Sequence, residues 1–192
     1  MSKGHYPTPY IDQIIDDCAD SEIFSFMDGF SGYNQINILP TDQPKMAFIC
    51  PWGTFSYSKL PFGLKNADAT FQRAMSYAFH DIKHIVQPYL DDFPAHSLHR
   101  VDHLVHLRAI FMRCRHYRIM LNPHKCVFCI EMGRLLGFVV SKAGFRIDPL
   151  KVEAIIKLPP PSSLRQLQSL QGKENDDSSL TTPRSQRVLP GF

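Results

Sequence analysis

Two apolar segments of this chain run straight into carboxylates, and that limits the folds open to it. Ile23-Phe24-Ser25-Phe26 reads as a strand ending at Met27-Asp28-Gly29, and Ile85 to Tyr89 reads as a short apolar strand running into Leu90-Asp91-Asp92. Acidic groups flanked by apolar strands are costly unless something positive compensates them. A divalent cation would do so, since Mg²⁺ prefers a few carboxylates together with substrate phosphates. Three carboxylates from two adjacent strands can hold two such ions, the arrangement used for in-line phosphoryl transfer. The Asp-Asp pair is a weak signal by itself. The chain has 14 Asp and three such pairs, Asp16-Asp17, Asp91-Asp92 and Asp176-Asp177, where about one is expected by chance.

The rest of the chain mixes strands and helices without a regular βαβ alternation, which gives an α+β class. Tyr10 to Cys18 reads as a short helix with Ile11, Ile14 and Ile15 on one face. Tyr33 to Leu39 alternates as a strand would. Lys45 to Cys50 and Thr54 to Leu60 read as two strands joined at Pro51-Trp52-Gly53. Asn66 or Asp68 could cap a helix in which Phe71, Ala74, Met75, Ala78, Phe79 and Ile82 recur at spacings of three and four. A second helix fits Val101 to Tyr117, with Val101, Leu104, Val105, Arg108, Phe111 and Met112 on one stripe. Leu135 to Val140 is strand-like and turns at 141–144 to pair with Phe145-Arg146-Ile147. Asp148-Pro149 starts another helix, which Pro159-Pro160-Pro161 stops, and Ser163 with Gln166 forms a capping box for a last one. Residues 173–192 are polar and without a clear period. There is no Gly-rich phosphate loop and no Gly-x-Ser-x-Gly.

Composition excludes several classes. At 192 residues, 44% hydrophobic and a net charge of +3, wholesale disorder is ruled out. No apolar run approaches the roughly 18 residues that span a bilayer, and MSKGHYPTPY has no apolar signal core. These features with five cysteines, an odd number, lead us to expect an intracellular, reducing compartment, cytoplasm or nucleus, and no membrane partner. The charge is uneven. His103 to Ile130 contains Arg108, Arg113, Arg115, Arg118 and Lys125 and no acid, which suits a polyanion as well as a solvated helix face. Cys126-Val127-Phe128-Cys129, with His116 or His124 nearby, raises a zinc-module alternative, but one Cys-x-x-Cys without a second pair is weak evidence.

The surroundings of the aspartates carry a resemblance. Phe24-Ser25-Phe26-Met27-Asp28-Gly29-Phe30-Ser31-Gly32-Tyr33-Asn34-Gln35-Ile36 resembles the first palm motif of reverse transcriptases from gypsy-type LTR retrotransposons. Leu60-Pro61-Phe62-Gly63-Leu64-Lys65-Asn66-Ala67 with Ala69-Thr70-Phe71-Gln72-Arg73 resembles their next motif, Tyr89-Leu90-Asp91-Asp92 their Tyr-x-Asp-Asp box, and Leu135-Leu136-Gly137-Phe138 their primer-grip segment. Order and spacing agree over roughly residues 5–172. The resemblance implies a polymerase palm: a small antiparallel sheet with packed helices, partial fingers and no thumb. It implies that Asp28, Asp91 and Asp92 are the catalytic, metal-binding aspartates and that the Gly29 carbonyl is a further metal contact, for two Mg²⁺ ions or Mn²⁺. Tyr33 would lie under the sugar of the incoming dNTP, where its ring disfavours a ribose. Phe62 and Gly63 would line the nucleotide loop. Lys65 and Arg73 would meet backbone phosphate, and Leu136 and Gly137 would position the primer end. The implied partners are an RNA or DNA template with its primer, dNTP, and other segments of the Pol polyprotein.

The implied activity is RNA-directed DNA synthesis, a nucleotidyl transfer. The alternative is a non-catalytic retrotransposon remnant that at most binds nucleic acid. Asp68, where the family has Pro or Gly, and Pro94, in the strand after the Asp-Asp turn, depart from the pattern. The match fails after Gly172, and the fingers cations expected upstream are not in the sequence. The expected division is an extended segment and short helix over 1–22, palm with part of the fingers over 23–147, connection helices over 148–172, and a disordered or frameshifted tail over 173–192. Truncated at both ends in this way, the chain alone is expected to synthesise little DNA.

Overall fold

A computed structural model describes residues 6–157. In chain order its regular elements are α1 (Ile11–Cys18), β1 (Ile23–Asp28), β2 (Ala47–Cys50), β3 (Gly53–Ser56), α2 (Ala67–Ala78), β4 (Asp92–Ser97), α3 (His103–Tyr117), β5 (Val127–Ile130), β6 (Met132–Leu135), β7 (Phe138–Ser141), β8 (Gly144–Ile147) and α4 (Pro149–Ile156). The architecture is α+β. One antiparallel sheet has the order β4-β1-β5, a second β6-β7-β8, and β2-β3 is a separate hairpin. The expected elements beyond residue 157 lie outside the described residues.

β1 is the spine of the molecule because it is buried on both faces. Met27, with Phe93 and Ala95 of β4, faces a core built with Phe71 and Met75 of α2 and Leu107, Ile110 and Cys114 of α3. Phe24, on the opposite face, packs on Ile14 and Cys18 of α1 and on Leu135 and Val140 of β6 and β7. This two-sided burial explains why β1 reads as a continuous apolar run rather than an alternating one. All five cysteines are free thiols. Among the described residues, no helix is long and apolar enough to cross a membrane.

Four expectations are corrected. Tyr33 to Leu39 is not a strand: Gly32–Gln35 is a 3-10 turn, and Asn37 makes only an isolated bridge to Lys59. Burying the Tyr33 ring under α2 requires the turn, and packing overrides the alternation. Ile85 to Tyr89 makes isolated bridges, Val86 with Ala95 and Tyr89 with Asp92, so the Asp-Asp pair opens a ladder strand instead of ending one. α2 stops at Ala78, and Asn66 stands at its N-cap without a side-chain capping bond. On α3 the buried residues are His103, Leu107, Ile110 and Cys114, whereas Leu104, Val105, Phe111 and Met112, and Val101 in the 3-10 turn before the helix, are exposed. The apolar stripe read from the sequence is the outer face, because polar His103 is drawn inward to hydrogen-bond Ser25 Oγ (2.8 Å) and Ser97 Oγ (2.7 Å).

Pro94 fits its strand. The Asp92 and His96 amides donate outward, to Tyr89 O (3.0 Å) and Ile85 O (3.1 Å), so Pro94 between them also turns its nitrogen away from β1. Its missing N–H therefore removes nothing from the β1 ladder, and β4 is an edge strand of its sheet, where proline is tolerated.

Candidate active site

The site forms at the end of the β1–β4 ladder. Asp28 and Asp92 are register partners. Both backbone groups of Asp92 bond to Tyr89 instead of β1, N to Tyr89 O at 3.0 Å and O from Tyr89 N at 2.9 Å. The pair is thus of the non-hydrogen-bonded kind, in which the two Cα atoms lie about 4.5 Å apart and side chains on the same face come closest. Asp91 joins through the Gly29 amide, which donates to its carbonyl at 2.8 Å. Burial pushes the pKa of Asp91 up, and the Asp28 and Asp92 charges push it further. Burial followed by the Asp28 charge does the same to Asp92, a smaller effect than its direction suggests because Asp92 as a residue is exposed. In both cases the opposing cation is Lys125.

A buried oxygen, Asp91 Oδ1, has no hydrogen-bond partner. Opposite it stands Gly32, whose added Cβ would fall 2.0 Å from that oxygen. A site short of positive charge, with an orphaned carboxylate oxygen kept clear by a glycine, has the donor chemistry of a divalent-cation site. The carboxylates are not a finished ligand set, however. Among the described residues, no three His, Cys, Asp or Glu side chains are gathered closely enough to hold an ion as they stand. The side chains would have to turn toward a shared ion.

The other expected residues divide into two groups. Tyr33 is buried beside the aspartates. Its ring meets Phe62 edge-on at 4.6 Å and lies 5.1 Å from Phe71, and its hydroxyl donates to Asp68 Oδ1 at 2.7 Å. Burial, then the Asp68 hydrogen bond, raises the phenol pKa. Asp68, the departure from the pattern, is thus the residue that fixes the Tyr33 ring. Phe62 is exposed, and Gly63 has φ +86° with open space around it, so its backbone conformation is what requires glycine. Lys65 and Arg73 are exposed at and beyond the start of α2. Leu136 and Gly137 form a two-residue turn between β6 and β7 in the second sheet, with φ 50° and 88°, and Leu136 packs against the cluster that holds Phe24 of β1. Consecutive positive φ values mark a type I′ hairpin. The Asp148 amide closes it onto α4 by donating to Gly137 O at 3.0 Å.

Sequence reasoning missed three residues. Gln72 is fully buried on α2; its Nε2 donates to Pro88 O (2.9 Å) and its Oε1 accepts from the Leu90 amide (2.8 Å). It holds the turn that presents Asp91, with Leu90 at φ 50°. A glutamine beside Phe71 on an apolar helix face was the available signal, since a buried polar group is informative. Gly32 was quoted only as part of a motif. Lys125, grouped with the basic segment, lies 3.3 Å from Asp28 Oδ2. Arg113 of the same segment is also spoken for, donating to Asp81 Oδ2 at 2.5 Å.

The family model described as reverse transcriptase (RNA-dependent DNA polymerase) matches residues 1–140. The Pol polyproteins of the transposons opus and gypsy from Drosophila melanogaster are each 33% identical over 168 residues, 87% of this chain. The Tf2-3 transposon polyprotein of Schizosaccharomyces pombe is 28% identical over 187 residues. The chain spans 17%, 16% and 14% of these three relatives, respectively. Among solved structures, a foamy viral protease-reverse transcriptase in complex with double-stranded DNA superposes with a TM-score of 0.79 at 20% identity, covering 89% of this chain and 30% of that one. The same viral protein with an RNA/DNA hybrid gives 0.76 at 20% identity, over 89% and 23%. These likenesses are of fold.

Proposed function

The chain belongs to the reverse transcriptase family, in the form found in Pol polyproteins of gypsy-type LTR retrotransposons, and on that premise we propose that residues 23–147 act as the catalytic palm, with part of the fingers, of an RNA-directed DNA polymerase. The observation that carries the reading is the Asp28–Asp92 pair at the ladder end, with Asp91 beside it and an unpartnered Asp91 oxygen. Asp28, Asp91 and Asp92, with the Gly29 carbonyl, would hold two Mg²⁺ ions, or Mn²⁺. When bound, these would lower the pKa of a primer 3′-hydroxyl and neutralise the charge of a departing pyrophosphate. The chain's own part is placement. The β1–β4 ladder fixes two carboxylates, and Gln72 sets the turn that carries the third. Tyr33, braced by Asp68 and edge-packed on Phe62, is held where its ring would meet the sugar of a dNTP. Lys65 and Arg73 would steady template or primer phosphates, and the Leu136-Gly137 turn would bear on the primer end. The RNA or DNA template, the primer and the remaining Pol segments are the partners this implies.

Single-turnover incorporation of one labelled dNTP into a primer on an RNA template tests the reading. Slow, Mg²⁺- or Mn²⁺-dependent incorporation is expected from the chain and none from the Asp91→Asn, Asp92→Asn variant. Equal incorporation by both would remove the aspartates from the chemistry.

A further inference from the structure

We propose that Lys125 is a built-in counter-ion of this site: its ammonium holds Asp28 while no metal is bound, and a divalent cation must displace it. The inference rests on reading Asp28, Asp91 and Asp92 as metal ligands. Lys125 Nζ lies 3.3 Å from Asp28 Oδ2. It is brought there by a constructed path of backbone bonds. Leu121 bridges Gly29, the Asn122 amide donates to Asp28 O at 2.8 Å, and the Lys125 amide turns back onto Asn122 O at 3.1 Å. The loop is therefore anchored on the strand that carries Asp28, and Lys125 follows from that anchoring. The lysine is largely exposed, so the pair is weak enough to open. The Asp28 oxygen that faces Lys125 is an oxygen a metal would need. A monovalent, tethered charge there lowers the cost of neighbouring carboxylates without satisfying them, and Asp91 Oδ1 is left unpartnered.

The test is a Mn²⁺ titration of the full chain followed by electron paramagnetic resonance, with melting curves in EDTA and in saturating Mn²⁺. Lys125→Met should bind Mn²⁺ about 3- to 10-fold more tightly than the unaltered chain, because a competing positive charge has gone. It should melt about 2–4 °C lower in EDTA, a deficit that saturating Mn²⁺ removes. Lys125→Arg should bind as the unaltered chain does. A residue that merely props up the loop would weaken Mn²⁺ binding when removed and would melt low in both conditions, and that result overturns the proposal. So does unchanged affinity in Lys125→Met. If Lys125→Met does not fold, Lys125→Gln is measured instead against the same expectations. The underlying reading is checked separately with Asp28→Asn. If the unaltered chain and Asp28→Asn bind Mn²⁺ equally, Asp28 is not a ligand, and both the reading and the proposal fail. If Asp28→Asn binds less but Lys125→Met binds no more tightly, only the proposal fails.

Discussion

Tyr33 and Asp68 show how one hydrogen bond can fix a residue that packing alone leaves loose. The Tyr33 ring is wedged between Phe62 and Phe71, and Phe62 is itself exposed, so one wall of the slot is soft. The 2.7 Å bond from the hydroxyl to Asp68 sets the ring's tilt. A hydrogen bond to a charged acceptor contributes about 1.5–3 kcal/mol, less where the acceptor is exposed as Asp68 is. Tyr33→Phe and Asp68→Ala are each expected to cost about 1–2 kcal/mol in urea unfolding, and the double variant about as much as either single one. Costs that add in full would mean that the two side chains do not act on each other.

At the scale of elements, α2 does more than cover the sheet. Through Gln72 it clamps the 88–90 turn, and through Phe71 it closes the space beneath Gly32. The turn needs that clamp because Leu90 is held at φ 50°, a region unfavourable to a branched side chain. Gln72→Leu keeps the bulk but leaves the buried Pro88 carbonyl and the half-buried Leu90 amide unpaired. A loss of about 2–4 kcal/mol is expected, with faster hydrogen exchange at the Leu90 amide. If exchange there stays as slow as before, the turn is held by something other than α2.

For the molecule as a whole, the far end of the same sheet sets the pH response. His96 is buried against Ser21, and burial, with repulsion from His106, His103 and His84, lowers its pKa to about 4. Burial, with His106, also lowers that of His103. A histidine whose folded pKa is depressed takes its proton first in the unfolded chain, so the folded state loses stability as pH falls from about 6.5 toward 4. For His96 this amounts to about 2 kcal/mol between pH 7 and pH 5. The raised pKa values of Asp91 and Asp92 act the other way, since the folded state binds their protons more tightly. The histidine contribution is therefore read as the difference between the chain and His96→Gln. The variant's urea midpoint should fall less between pH 7 and pH 5, and parallel curves would show that His96 does not titrate with folding.

The sequence by itself determined the strand β1 with its terminal Asp28, the amphipathic α1 and α2, the hairpin at Pro51-Trp52-Gly53, and the helix start at Asp148-Pro149, where the Asp148 carboxylate accepts the Leu150 amide at 3.0 Å. Each depends on local period or on capping and turn chemistry, which neighbouring residues carry among themselves. Which side of α3 is buried could not be read that way. Its outer stripe is as apolar as its inner one, and the choice fell to His103, whose serine partners sit on strands 6 and 78 residues away. The strand after Asp91, the 3-10 turn at Tyr33 and the pairing of Lys125 with Asp28 across 97 positions were likewise decided only by the tertiary structure. These depend on contacts between distant segments, and a buried polar group takes whichever partner the fold brings within reach.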